Sequence, residues 1–239
     1  MVLYQLTITR ILTIYVVQGL ICAWFLYLAY RILKRDRKRL NIIFSGFYLS
    51  AAIGLIFNFI YGPIAYVPAV LFLNYLTNFG SFYAPIFFVV FNLILLKSEK
   101  IVTPAKQLMI FIGYGIYMFC MIFFVLAGPD WGVQLINWTP VWALPFFLYV
   151  FLGVTVIAII PLLFLSFQIY KKFEDEQLKK KWKFVIYGSI GLIGFMYAIF
   201  FSNWLNIDIV RWIVLPIGIV LAAISGYWMY IGVGRQLEK

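Results

Sequence analysis

The sequence predicts an all-α integral membrane protein, a seven-transmembrane helix bundle, on three observations. The first is solvent. Of 239 residues, 65% are hydrophobic and 11% are charged, with a mean hydropathy of +1.01, whereas a soluble domain carries about 25% charged residues. So few charges cannot cover a surface facing water, and most of this surface must face lipid. The second is length. Seven apolar runs can be read, near Ile11–Leu33, Ile42–Tyr61, Leu71–Leu96, Leu108–Ala127, Trp142–Tyr170, Phe184–Trp204 and Trp212–Ile231, each close to or above the roughly 20 residues that span a bilayer as helix. None alternates polar with apolar as a barrel strand would, and in lipid every backbone group must be satisfied within its own segment, which leaves helix. The third is charge. Of the 19 lysines and arginines, all but Arg10 and Arg211 fall in alternate connections or at the C-terminal end, which by the positive-inside rule places the N-terminus outside and the C-terminus in the cytoplasm.

The first run has no basic segment before it and no small-residue cleavage site after it, so it is expected to be a retained helix and not a signal peptide. Beyond it, "RILKRDRKRLN" (Arg31–Asn41) packs six basic residues into nine positions. Arg35, Arg37, Lys38 and Arg39 are read as a topology anchor facing anionic lipid headgroups or a cytoplasmic protein. Nucleic acid is excluded as a partner because the basic loops are short and pressed against the membrane.

The second run places Gly46, Ser50, Gly54 and Asn58 four apart, the sixth carries Gly188, Gly191, Gly194 and Ala198 on a narrow strip, and the seventh carries Gly218, Ala222 and Gly226. Lipid tails are as apolar as leucine, so small residues that admit close backbone approach are expected to form the helix seams. The third run differs. Asn74, Asn78, Ser81, Pro85 and Asn92 make one polar stripe, which must face inward. It reads either as glue between helices or as the lining of a cavity opening outward, and Pro85 invites a kink. The fifth run, at 29 residues, should tilt, kink at Pro161 or project from the bilayer. Trp131, Trp138, Trp142, Trp204 and Trp212 are assigned to an outer interfacial belt and Trp182 to the inner one. The amphipathic connection "GPDWGVQLINWTP" (Gly128–Pro140) would lie among the headgroups or cap the bundle. Cys22 and Cys120 fall at membrane depth, where buried free thiols are expected.

Much of the functional content is exclusion. Apart from Arg31 at the end of the first run, no Asp, Glu, Lys, Arg or His lies inside the runs, and the chain has no histidine. Proton relays, haem ligation and metal sites all draw on such groups, so no metal and no cofactor are expected, and the chain is read as no enzyme. The seventh run has no lysine for a retinal Schiff base. Asp208 and Arg211, three apart, form an expected outer ion pair. On the inner side "KKFEDEQLKKKWK" (Lys171–Lys183) mixes Glu174, Asp175 and Glu176 with six lysines, among them Lys179, Lys180 and Lys181. It is the longest cytoplasmic surface, where a partner would dock.

G-protein-coupled receptors share the expected topology, but their Asp-Arg-Tyr and Asn-Pro-x-x-Tyr signatures are missing. Seven-helix sugar transporters of the SWEET type share a weak internal symmetry with this chain, without the Pro-Gln motifs of related proteins. The texture is closer to the seven-helix N-terminal input region of some prokaryotic histidine kinases. "NFGSFYAPIFFVVFNLILL" (Asn78–Leu96) resembles the proline-bearing third helix of those modules. "KKKWKFVIYGSIGLI" (Lys179–Ile193) is similar to their basic approach to a glycine-bearing sixth helix, and "VLPIGIVLAAISGYWMYIGVGRQLE" (Val214–Glu238) resembles their last helix. The resemblance implies a sensor of the plasma membrane. With five residues after Gly234, it also implies signalling through a separate protein. A sensor would hold a ligand or lipid among Asn74, Asn78, Tyr83, Asn203 and Trp204. A facilitative transporter for a small neutral solute would line its path with Asn78, Ser81 and Asn92. An accessory subunit of a larger membrane complex would need neither.

Overall fold

A computed structural model describes residues 11–234, with the side chains of residues 13, 208–216 and 234 left aside. The expected ion pair Asp208–Arg211, together with Trp212, Pro216, Arg10, Arg235 and Lys239, therefore lies outside the described residues or side chains. Among the described residues the chain is all-α apart from one hairpin. Six helices among these residues are long and apolar enough to cross a membrane: α1 (Ile14–Arg35), α2 (Arg39–Tyr61), α3 (Val67–Lys97), α4 (Pro104–Leu126), α5 (Leu144–Lys172) and α6 (Glu176–Leu205). A further helix, α7 (Asp208–Gly234), contributes the shorter apolar stretch Ile217–Val233.

Successive helices run up and down, so alternate connections gather at each end. At one end Arg39 donates from Nε to Gln107 Oε1 at 2.9 Å and from Nη2 to the Val102 carbonyl at 2.6 Å, which fastens the α1–α2 connection to the α3–α4 connection. Arg35 at the end of α1 donates to the Tyr230 hydroxyl of α7. This is the basic end.

The helices at the basic end start before their apolar runs. Helix α6 begins at Glu176, two turns ahead of Phe184, so Lys179–Lys183 ride on helix and only Phe173–Asp175 is connector. The reason is local: Asp175 Oδ1 accepts from the Gln177 N–H at 2.7 Å and caps the helix. Helix α4 starts at Pro104 rather than Leu108, capped by Thr103, whose hydroxyl accepts from the Lys106 N–H. Apolarity marks where lipid begins, not where helix begins.

Two crossings hold the bundle. Ser50 Oγ on α2 donates to the Gly80 carbonyl on α3 at 2.7 Å. A Cβ added to Gly54 would lie 2.6 Å from Ser81 N and 2.7 Å from the Thr77 carbonyl, and one on Gly46 would lie 2.5 Å from the Phe87 ring. The backbones touch, as small-residue seams require. Asn58, next on the same spacing, turns instead to Gln18 of α1. Between α6 and α7, a Cβ on Gly188 would meet the Ser225 carbonyl at 2.5 Å, Gly191 faces Ser225 Oγ, and Gly218 faces the Phe195 ring. Gly194 is exposed with nothing within 4 Å and stands off this seam. Gly226 packs toward Phe25 and Leu28 of α1, and Ala222 is fully buried. The seam is completed by Gly232, whose added Cβ would lie 2.8 Å from the Lys181 carbonyl.

The opposite end is closed by a β-hairpin, β1 (Val133–Ile136) and β2 (Thr139–Trp142), paired antiparallel with Val133 opposite Trp142 and Ile136 opposite Thr139. Its two-residue loop, Asn137–Trp138, holds φ of 48° and 60°, the left-handed pair a tight hairpin turn requires. Trp138 and Leu135 pack over Tyr61, Ile64 and Val70 at the α2–α3 turn. Trp142 does not join an interfacial belt. It is 2% exposed and meets Phe82, Phe146 and Phe200 edge-on or tilted at 5.1–6.0 Å, because β2 carries it into the bundle. Of the two sequence-level alternatives for this connection, the structure shows the cap.

Helix α5 widens to a π-turn over Val154–Ile159, one turn before Pro161. Pro161 has no N–H to offer Ile157, and the shift to i→i+5 bonding, seen in Ile160 N–H donating to Thr155, re-registers the ladder around that gap. In α3 the helix continues through Pro85.

Candidate functional site

The polar stripe of α3 divides into two networks. Toward the hairpin end, Asn78 Nδ2 donates to Asn74 Oδ1 at 3.1 Å, and Asn74 Nδ2 donates to the Tyr61 hydroxyl at 3.3 Å. Toward the basic end, Asn92 Nδ2 donates to Ser166 Oγ at 2.7 Å and to the Leu162 carbonyl at 3.2 Å, and Trp182 Nε1 donates to the Ser166 carbonyl at 2.8 Å. Trp182 is thus a buried strut joining α6 to α5, and not an interfacial side chain. These amides bridge α3 to α2 and α5. Ser81 packs against Gly54. Tyr83 turns to α4, donating to the Phe111 carbonyl at 2.7 Å. Trp204 stacks on Phe147 of α5 at 4.6 Å, and Asn203 beside it is half-buried. Only the Asn74–Asn78 pair among the proposed ligand residues is joined by a hydrogen bond.

A different site lies between α1 and α7, at the basic end. Trp24, Tyr27, Leu28, Arg31 and Arg35 share one face of α1 at helical spacing, and Ala223, Ile224, Tyr227, Tyr230 and Ile231 share one face of α7. Together they wall a cleft of about 870 Å³. Trp24 Nε1 donates to the Ala223 carbonyl at 3.2 Å and pins the apolar floor. At the mouth, Arg31 donates to the Tyr27 hydroxyl at 2.7 Å, with its guanidinium 5.6 Å from that ring. The Arg35 guanidinium lies 4.5 Å from the Tyr230 ring and bonds its hydroxyl. Each arginine therefore rests on an aromatic face, where cation–π attraction stabilises it next to apolar surface. Among the described residues no Asp or Glu lines the cleft. Asp36, the nearest carboxylate in sequence, is committed to Lys38 at 2.9 Å, which holds its carboxyl below the usual range.

The sequence reading assigned Arg35 to lipid or protein contact and did not single out Trp24, Tyr27, Arg31, Tyr227 or Tyr230 as a site. The spacing of the α1 set was legible, but its pairing with a helix almost 200 residues away was not. The remaining basic-end residues divide by exposure: Arg37, Lys38, Lys180 and Glu174 are exposed, Lys181 is half-buried, and Lys179 pairs with Glu176 at 2.8 Å.

No protein-family model, curated protein or solved structure matches this chain.

Proposed function

We propose that this chain is a receptor-like sensor module of the plasma membrane. In this reading seven helices cross the bilayer with the N-terminus outside, and the state of the bundle passes to a separate protein at the cytoplasmic, basic end. The module binds and signals and does no chemistry of its own. The observation that carries the reading is a division of labour among polar groups. The asparagines of α3 are spent within the bundle, Asn74 and Asn92 on neighbouring helices and Asn78 on Asn74, while exposed charge of both signs collects at one end around Lys171–Lys183. A solute path would need those amides facing an opening, and Asn92 is fully buried against α5. The loose resemblance to histidine-kinase input regions agrees with this reading.

Extraction of the protein from its own membranes in mild detergent, followed by native mass spectrometry, tests it. A stoichiometric protein partner is expected with the wild type, at least tenfold depleted when Lys171 and Lys180, both exposed, are reversed to Glu. A lone species that passes neutral solutes across liposomes would instead establish the transporter reading. A partner indifferent to the reversed charges and bound at lipid depth would make the chain an accessory subunit.

A further inference from the structure

Helix α5 is two half-helices joined by a widened turn, and each half is fastened to different neighbours. In the half toward the hairpin, Leu144–Gly153, Tyr149 donates to the Tyr117 carbonyl of α4 at 2.6 Å and Tyr117 donates to the Tyr149 carbonyl. Phe147 stacks on Trp204 of α6 at 4.6 Å. In the half toward the basic end, Ile160–Lys172, Leu162 and Ser166 accept from Asn92 of α3, and the Ser166 carbonyl accepts from Trp182 of α6. Between them lies the π-turn Val154–Ile159. Exposed residues recur at every fourth position through both halves, at Leu144, Leu148, Leu152, Val156, Ile160 and Phe164. In a regular α-helix each step of four drifts by about 40°, so this row would wind roughly 200° around the axis. The widened turn takes up one extra residue, about 100° of that drift, and brings the outward sides of the two halves closer into line.

Among the described residues, one side-chain hydrogen bond reaches this turn from another helix. The Thr155 hydroxyl donates to the Phe151 carbonyl at 2.5 Å, so toward its other neighbour it accepts, and the Tyr197 hydroxyl of α6 lies 2.7 Å away as the donor. The Tyr197 ring rests against Phe151 at 5.2 Å and Phe200 at 5.8 Å, and Phe200 meets Trp142 of the cap at 5.7 Å. The hydroxyl pair is thus two rings from the hairpin and about two turns from the Leu162 carbonyl that Asn92 holds. We infer that Val154–Ile159 is the conformational joint of the bundle. The Tyr197–Thr155 pair holds the turn in its widened form, and when that pair parts, the basic-end half of α5 swivels against α3 and α6. A ligand that shifts the cap then moves Lys171 and Lys172, in the last turn of α5, without crossing the membrane. The inference goes beyond the receptor reading and does not rest on it, because a transporter or a subunit would have the same moving part.

The test is hydrogen–deuterium exchange of the full chain in detergent micelles, read by mass spectrometry. Tyr197→Phe removes one hydroxyl and keeps the ring contacts. Exchange of the backbone amides over residues 158–166 is expected to rise about fivefold, the loss of one hydrogen bond, while residues 146–153 stay unchanged. Tyr149→Phe cuts a hydroxyl bond to α4 outside the turn and should leave residues 158–166 as they are. Deletion of Val156, exposed in the turn, should close it to a regular α-turn with both halves still in phase. In that background Tyr197→Phe should no longer affect residues 158–166. An even rise along all of α5, or the same local rise with Tyr149→Phe, would mean that the hydroxyl adds only general stability and would overturn the joint. So would an unchanged profile in Tyr197→Phe, or a Val156 deletion that fails to fold, since a residue taken up by a joint can be removed. None of these results bears on partner capture, so the joint and the receptor reading stand or fall separately.

Discussion

Helices α3 and α4 are neighbours in sequence and nearly equal in apolarity, with mean hydropathies of 2.1 and 2.3 over their most apolar 18 residues, yet 61% of that stretch in one and 17% in the other is buried inside the bundle. Hydropathy therefore decides that both can cross a membrane and says nothing about which one is central. The difference lies in what each carries besides carbon. Helix α3 has Asn74 and Asn92 to bond across helices, Asn78 to hold Asn74 in place, and Gly80 to let α2 approach. The one amide of helix α4, Gln107, is spent at the basic end on Arg39, and along the rest of its length tyrosines hold it. Tyr114 donates to the Phe82 carbonyl at 2.9 Å, and Tyr149 of α5 donates to the Tyr117 carbonyl at 2.6 Å. Where lipid competes equally for every leucine, polar and small residues select the interior.

Three substitutions would sharpen or break that contrast. The largest effect is expected from Gly54→Val, which forces a side chain against the Ser81 and Thr77 backbone and should cost about 3 kcal/mol, read as a lowered unfolding midpoint in mixed detergent–dodecyl sulfate micelles followed by circular dichroism. A variant that unfolds like the wild type would mean that the α2/α3 crossing is looser than described. Asn92→Leu comes next. It removes the donors to Ser166 and Leu162, but also a carbonyl oxygen that has no partner in the described structure. The net loss should stay at or below about 1 kcal/mol, in keeping with hydrogen bonds between membrane helices. A loss several times larger would show that the Ser166–Trp182 strut collapses with it. The smallest effect belongs to α4. Met109, 72% exposed, faces outward, and Met109→Ala should change the midpoint by less than about 0.5 kcal/mol. A clear destabilisation there would reveal a protein neighbour on the α4 face.

The spans were legible because lipid imposes a length on an apolar run, and the α2 and α6 seams because small residues recur every three or four positions. The hairpin was not legible. Its turn places Trp138, a bulky side chain, at positive φ, and its second strand contains Pro140, which ordinarily argues against a strand. Trp142 misled for a related reason: a tryptophan next to an apolar run looks interfacial until a strand turns it inward. The π-turn in α5 lies before Pro161 and leaves no mark of its own in the residues Val154–Ile159. Among candidate site residues, the α3 stripe announced itself by composition. The α1/α7 cleft depends on a pairing between the two ends of the chain, and each of its faces alone looks like an ordinary aromatic and basic flank.

The two glycine crossings join helices that are also adjacent in the chain, α2 to α3 through Gly62–Tyr66 and α6 to α7 through Asn206–Ile207. During synthesis each pair can lock as soon as its second helix has formed, with no wait for distant partners. Helix α1 can bond to Asn58 as soon as α2 is in place, but its bond to Ala223 has to wait for the last helix of the second clamp. The first of these helices thus docks in two stages, early on α2 and late on α7, and the cleft along its flank closes as the final event of assembly.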